Sequence, residues 1–547
     1  MQLRNRWQQG LAGLSLVAGL ASASVLPTHA AAAPPPVASS PQAKSEALAK
    51  EDSYEVLFTV PVGAGSLEYS PELREMERWG PKALALAPDG GFVIANSYRV
   101  NLLRYTATGL PLDTIDLSTY ARSITDLKVT PAGIFVLDGA SPHQVVFHLD
   151  AHGSLIGRHS VPAELQGGGL SGLALGSGGE VLLEHEGRVK HWLLQADGQL
   201  APRSAARPEV SGLPLTLNRP DWSSPSTHGR ARLAIGATPI DIEVPHMLAT
   251  PRLLGRGSPR DFYLIVEEVT HDEEAALLVD QTLRHYDVDG RLLGMARVPL
   301  KDQAVVIDHP VTVGHDGAVY GLLAHAERVS VVRFHFTPTL KPVLPAEPTR
   351  LLAEKRLAGA AADASLASIS RAQIRDKANQ YNSSWKYLSA NSAVGYCAGR
   401  VKPRYFSGEG WAHSVAYDWG GWDDVGQYST QMDQGYKAGD IDVTVEECSR
   451  GVDCSGLVSR AWYLSYKRGT YTLPEVATRL SGYWLIKVGD IMNHADHVRL
   501  IETQNPDGMN AWEATVDAGY DRAMWRWLPL SRYGGYTPYR YNSLIDP

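Results

Sequence analysis

Cysteine is scarce in this chain, with three in 547 residues, all in the last third at Cys397, Cys448 and Cys454. So few thiols exclude a disulfide-stapled scaffold, and in an oxidising compartment an odd number leaves one over. A Cys397–Cys448 disulfide would leave Cys454 free; sequence distance also allows Cys448–Cys454. Long apolar runs are scarce too. Beyond residues 11–26 no stretch approaches the roughly 20 apolar residues that span a bilayer, which argues against stable membrane insertion. Basic runs are missing, and a formal net charge of −8 excludes nucleic acid as an expected partner and strong anchoring to anionic lipid.

What is present begins with Arg4 and Arg6, followed by the apolar residues 11–26 and a small-residue run at 29–33. That order reads as a signal peptide over residues 1–32, so the expected location is exported, periplasmic or secreted. Residues 33–52, rich in Ala, Pro and Ser, bury too little apolar surface to order themselves and read as a disordered linker.

Residues 53–345 show short alternating apolar segments divided by recurrent turns. Pro88-Asp89-Gly90, Pro131-Ala132-Gly133, Ser177-Gly178-Gly179 and His315-Asp316-Gly317 form one series, whose last glycines are spaced by 43, 46 and 138 residues, the last being three times 46. A second series, at Gly109, Gly153, Gly198 and Gly290, follows 19 or 20 residues behind an inner turn and again leaves one unit missing. Both give six units of about 45 residues, the size of a four-stranded propeller blade. The region resembles the six-bladed propellers of the NHL or sugar-lactone type, and residues 54–60 are expected to close the ring on the last blade. No Asp, Glu or His recurs at one blade position, so the propeller is read as a binding or spacing module for a protein or glycan ligand. Residues 346–368, nearly free of glycine, read as a helical linker, and the spacing of Ile369, Ile374 and Ala378 continues helically into a last domain at 369–547.

The sharpest local signal is Asp453-Cys454-Ser455-Gly456-Leu457-Val458. With Asp453 and Ser455 as capping residues, Cys454 would open a helix, where unpaired N–H groups and the helix dipole favour a thiolate. Downstream, Gly489-Asp490 marks a turn and His497 leads an alternating strand that would hold its ring as a general base. His494 competes, but it falls in the turn between. Glu513, on the next strand, is the candidate to orient the imidazole, with Asn510 and Asp517 in reserve.

These pieces, with Tyr417-Asp418-Trp419-Gly420-Gly421 upstream, occur in the order of the NlpC-type cell-wall cysteine peptidases, which the chain resembles from about Ile369 to Tyr541. The resemblance implies a multidomain chain, an all-β six-bladed propeller followed by an α+β papain-like cysteine peptidase domain. It implies Cys454 as nucleophile, His497 as base, Glu513 as third residue, and Tyr417, Asp453 and Ser455 at the substrate. It further implies hydrolysis of amide bonds in peptidoglycan stem peptides, with no cofactor and no metal. Glu513 departs from the His, Asn or Gln more usual at the third position. The stretch from Gly421 to Gly451 is longer than usual, as a lid or a narrowed cleft would require. Two other readings compete: a thioesterase or acyltransferase with Trp411, Trp419, Trp422 and Tyr436 lining an apolar cleft, and a propeller-based binding protein with a vestigial hydrolase core.

Overall fold

Short apolar segments between tight turns satisfy their backbone groups most readily by pairing with the next segment along the chain. The computed structural model describes residues 53–545 except 73–74, 141–142, 177–178, 195–214, 219, 223–227, 236–237, 302, 346–354, 357–367, 395–396, 398 and 407. The leader, the linker at 33–52, the turns at Ser177-Gly178 and Gly198, and most of the linker at 346–368 lie outside the described residues.

Between Tyr54 and Phe334 the described strands form six antiparallel sheets in chain order. The first runs through Leu84–Leu86, Phe92–Asn96, Asn101–Tyr105 and Pro111–Asp116; the second from Asp126–Thr130 to Leu155–Ser160. Three described strands make up each of the third and fourth. In the fifth the inner strand is split into Met247–Leu248 and Arg252–Ser258, both paired to Asp261–His271. Tyr54–Pro61 joins the sixth sheet antiparallel to Arg328–Phe334, with Val60 opposite Val329. Inner strands of the first and second sheets, and of the first and sixth, lie side by side, which makes the array propeller-like. The recurrent turn glycines have a structural cause: Gly90, Gly109, Gly153, Gly290 and Gly317 all take φ between 77° and 89°, open to glycine at little cost.

The remainder carries four helices among the described residues: α1 (Arg371–Ser383), α2 (Ala390–Val394), α3 (Val425–Asp433) and α4 (Cys454–Ala461). Ser370 and Gln373 form a capping box at the start of α1, which buries Ile374, Ala378 and Tyr381. A seven-stranded antiparallel sheet follows the order Lys355–Arg356, Ala477–Arg479, Thr537–Tyr541, Ile491–Asn493, Val498–Asn505, Gly508–Thr515, Arg522–Leu528. Lys355 and Arg356 are thus a strand on Thr478 and Arg479 and not part of a linker helix; a neighbouring sheet edge outweighs local helix propensity. No described helix is long and apolar enough to cross a membrane.

The two regions share their interiors. Met76 and Trp79 of the sheet array join the core around α1 and α4, and Met247 and Leu277 pack with Tyr483, Leu530 and Tyr533. The stretch between Gly421 and Gly451 is folded onto the body: α3 buries Tyr428 and Met432, and Lys437–Ala438 pairs with Ser449–Arg450. A disulfide joins Cys397 to Cys448, with 6.3 Å between their Cα atoms, and Cys454 is the free thiol.

Candidate active site

Asp453 starts α4. Its Oδ1 accepts the Gly456 N–H at 2.6 Å and its Oδ2 accepts the Gly420 N–H at 2.9 Å, so the carboxylate ties the helix start to the Trp419–Gly421 turn. Cys454 is then the first helical residue and fully buried, and the Val498 backbone N–H acts electrostatically on its sulfur. Val498 opens a central strand of the sheet and directly follows His497. The nucleophile candidate and the base candidate therefore lie on adjoining elements, α4 packing on the strand Val498–Asn505 that begins just after His497.

The register Leu500↔Trp512 between that strand and Gly508–Thr515 carries Glu513 alongside the start of the first. His497 Nε2 and Glu513 Oε2 are 2.8 Å apart, and Glu513 is fully buried. Burial alone would raise the Glu513 carboxyl, but Arg499 and Arg526 outweigh it and hold the group well below the ordinary carboxylate range. Arg499 Nε donates to Glu513 Oε2 at 2.7 Å and Arg526 Nη1 to Oε1 at 3.1 Å. The carboxylate stays charged, as an orienting and imidazolium-stabilising group must. His494 lies in the turn, with its backbone N–H on the His497 carbonyl and its ring 3.6 Å from Asp496.

The thiol departs from the sequence expectation. Burial, then the negative charges of Asp453 and Glu75, push Cys454 well above the usual thiol range, against the opposing Val498 N–H and Lys467. A helix start does not yield a thiolate when the sulfur is sealed from water beside two carboxylates. The seal is Glu75, from the sheet array, held at φ 57°. Its carbonyl oxygen lies 3.8 Å from Cys454 Sγ, and its Oε2 lies 3.2 Å from Ser455 Oγ. Lys467 Nζ donates to Asp453 Oδ2 at 2.6 Å, on the carboxylate expected to face substrate. Tyr417 is buried close to the thiol, and among the described residues its hydroxyl has no hydrogen-bond partner. Asn510 donates to Thr503 at 3.1 Å, away from the imidazole, and Asp517 lies instead in an ion network with Lys82, Arg526 and Arg532.

Sequence reasoning did not single out Glu75, Glu77, Lys467, Arg499 or Arg526. For Arg499 a signal existed: it stands two residues after His497, on the same face of a strand whose next residues, Leu500 and Ile501, are apolar. A charge at that inward position needs a buried partner. For Glu75 and Glu77 no local pattern marks a contact with residues about 380 to 455 positions away.

A separate cavity of about 700 Å³ lies among the inner strands of the array, with Lys128, Asp308 and His309 on its wall and Arg526 and Arg532 from the last region beside them.

No family model matches the sequence, and no curated protein matches it. Solved structures similar to about half of the chain include a streptogramin B lyase (11% identity, 49% of this chain and 98% of that one, TM-score 0.27). Others are a putative oxidoreductase (glucose dehydrogenase) from Thermus thermophilus (19%, 49% and 99%, 0.29) and the calcium-binding protein regucalcin from Agrobacterium tumefaciens (13%, 50% and 98%, 0.26).

Proposed function

We propose that the last region is an α+β papain-like cysteine hydrolase of the NlpC kind, exported, which cleaves amide bonds in peptidoglycan stem peptides. The observation that carries the reading is the single free thiol at the start of α4, a helix packed on the strand that begins just after His497, whose ring is held by Glu513 at 2.8 Å. Cys454 attacks the substrate carbonyl as its proton passes to His497, and the imidazolium, stabilised by Glu513, returns that proton to the leaving amine. Water then releases the acyl group from sulfur. The attacked carbonyl takes the place that the Glu75 carbonyl holds here, so the Glu75 contact has to yield to substrate. The Cys454 backbone N–H and the Tyr417 hydroxyl, which has no partner among the described residues, are the donors for the oxyanion. The propeller-like array, in this reading, binds or positions a protein or glycan of the wall.

The test is digestion of purified wall fragments by the wild type and by Cys454→Ala, with new amino termini read by mass spectrometry. Hydrolysis lost in a folded variant is expected. Equal release by Cys454→Ala eliminates the reading. Hydrolysis of acyl esters with stem peptides left intact would favour the thioesterase alternative instead.

A further inference from the structure

Around Glu513 the last region gathers Arg499, Arg526, Arg532 and Asp517, which with Glu513 sum to one positive charge. The sheet array supplies Glu77, Asp308 and Lys82, which sum to one negative charge. The pairing is specific. Arg499 Nη2 donates to Glu77 Oε2 at 2.5 Å, and Arg532 donates to Glu77 at 3.1 Å, to Asp517 at 3.0 Å and to Asp308. Lys82 Nζ lies 2.6 Å from Asp517 and 3.1 Å from Asp308. Arg499, Arg526, Lys82, Glu513 and Asp517 are all nearly or wholly closed to water, so the charges are little screened and each needs its partner.

This matters for the imidazole because Arg499 Nε and His497 Nε2 share one oxygen, Glu513 Oε2. A guanidinium drawn wholly onto that oxygen weakens the carboxylate's hold on the imidazole. Glu77 takes the other edge of the same guanidinium, and its charge also acts directly on His497. The groups facing His497 are thus Glu513 and Arg499 from its own sheet, Glu77 from the array and, in the proposed reading, the Cys454 thiol from α4, with Arg526, Arg532, Asp517, Asp308 and Lys82 one partner further out and Tyr533 and Tyr536 over Arg499. Glu77 is itself anchored: Trp79 is buried, its N–H donates to Ser70 Oγ at 2.9 Å, and the Ser70 N–H donates back to the Trp79 carbonyl at 2.7 Å.

We propose that Glu77 is a positioning residue of the candidate active site, acting through Arg499 on the Glu513–His497 pair, so that the sheet array supplies part of the apparatus and is more than a binding module. The inference rests on reading His497 as the base. Without Glu77 two effects of the same sign follow: a negative charge near the imidazolium is lost, and Arg499 competes harder for Glu513. Both disfavour the protonated ring.

The experiment titrates the ring resonances of the full chain labelled at histidine, with His497 assigned by its disappearance in His497→Gln. In Glu77→Gln the midpoint of His497 is expected to fall by about one unit, and in Glu77→Asp, one methylene short of Arg499, by about half as much. A folded Glu77→Gln chain whose His497 titrates as the wild type overturns the proposal; if that variant does not fold, an unchanged midpoint in Glu77→Asp does so. The titration needs no substrate, so a negative wall-digestion result bears on the proposed function alone and an unmoved midpoint bears on Glu77 alone.

Discussion

His497 and Glu513 meet at 2.8 Å in a space closed to water, His497 being 2% exposed and Glu513 not at all. Glu513→Gln keeps the shape, removes the charge that stabilises the imidazolium, and leaves Arg499 and Arg526 short of a partner. Turnover of wall peptides is expected to fall about 10²- to 10⁴-fold. Stability should fall by about 3–5 kcal/mol, because breaking a buried pair strands the remaining charges. Turnover assays and thermal unfolding check both; wild-type turnover in a folded variant contradicts the assigned role.

Acid should unfold this protein through the same network. Glu513 and Asp517 are held well below their ordinary values by Arg499, Arg526, Lys82 and Arg532, against the cost of burial. Groups with depressed folded values stabilise above their unfolded values, about 4, and lose that contribution as pH falls below them. The unfolding free energy is therefore expected to drop steeply below about pH 4, and less steeply in Glu513→Gln, as denaturant titrations at several pH values would register.

Cys454 should react slowly with iodoacetamide in the native chain, since its thiol is buried and held protonated. Removing the Glu75 charge lowers the thiol toward its usual range, so Glu75→Gln is expected to alkylate about 3- to 10-fold faster at pH 8. An unchanged rate would show that the Glu75 charge has no hold on the sulfur.

The Cys397–Cys448 disulfide closes a sequence separation of 51 residues. Its loss in Cys397→Ser is expected to cost about 4 kcal/mol in the chain-entropy account, most of it through the unfolded state. Alkylation of the denatured wild type should modify one cysteine before reduction and three after it, a count that intact mass reads directly.

Where structure is local, the residues announce it. The glycine turns at a spacing near 45 mark inner strands because positive φ recurs after those strands in the first, second, third and sixth sheets, at Gly90, Gly133, Gly179 and Gly317, and Ile374 and Ala378 mark α1 because helical spacing is short-range. The split inner strand of the fifth sheet has no such marker; Met247–Leu248 and Arg252–Ser258 are defined by a shared partner, Asp261–His271. Asp453, Cys454, His497 and Glu513 stand out through their neighbours in sequence. Glu75 and Glu77 do not, since what places them is a tertiary surface made by residues hundreds of positions away, and the raised thiol follows from that burial.

The most direct measurement of the account is the intact mass of the chain quenched in acid during turnover of a purified stem peptide. A thioester should appear on Cys454, with the mass of the acyl half of the peptide, and should be missing from Cys454→Ala, which should also release no amine. Peptide cleaved by Cys454→Ala, or an acyl group found on another residue, would contradict it.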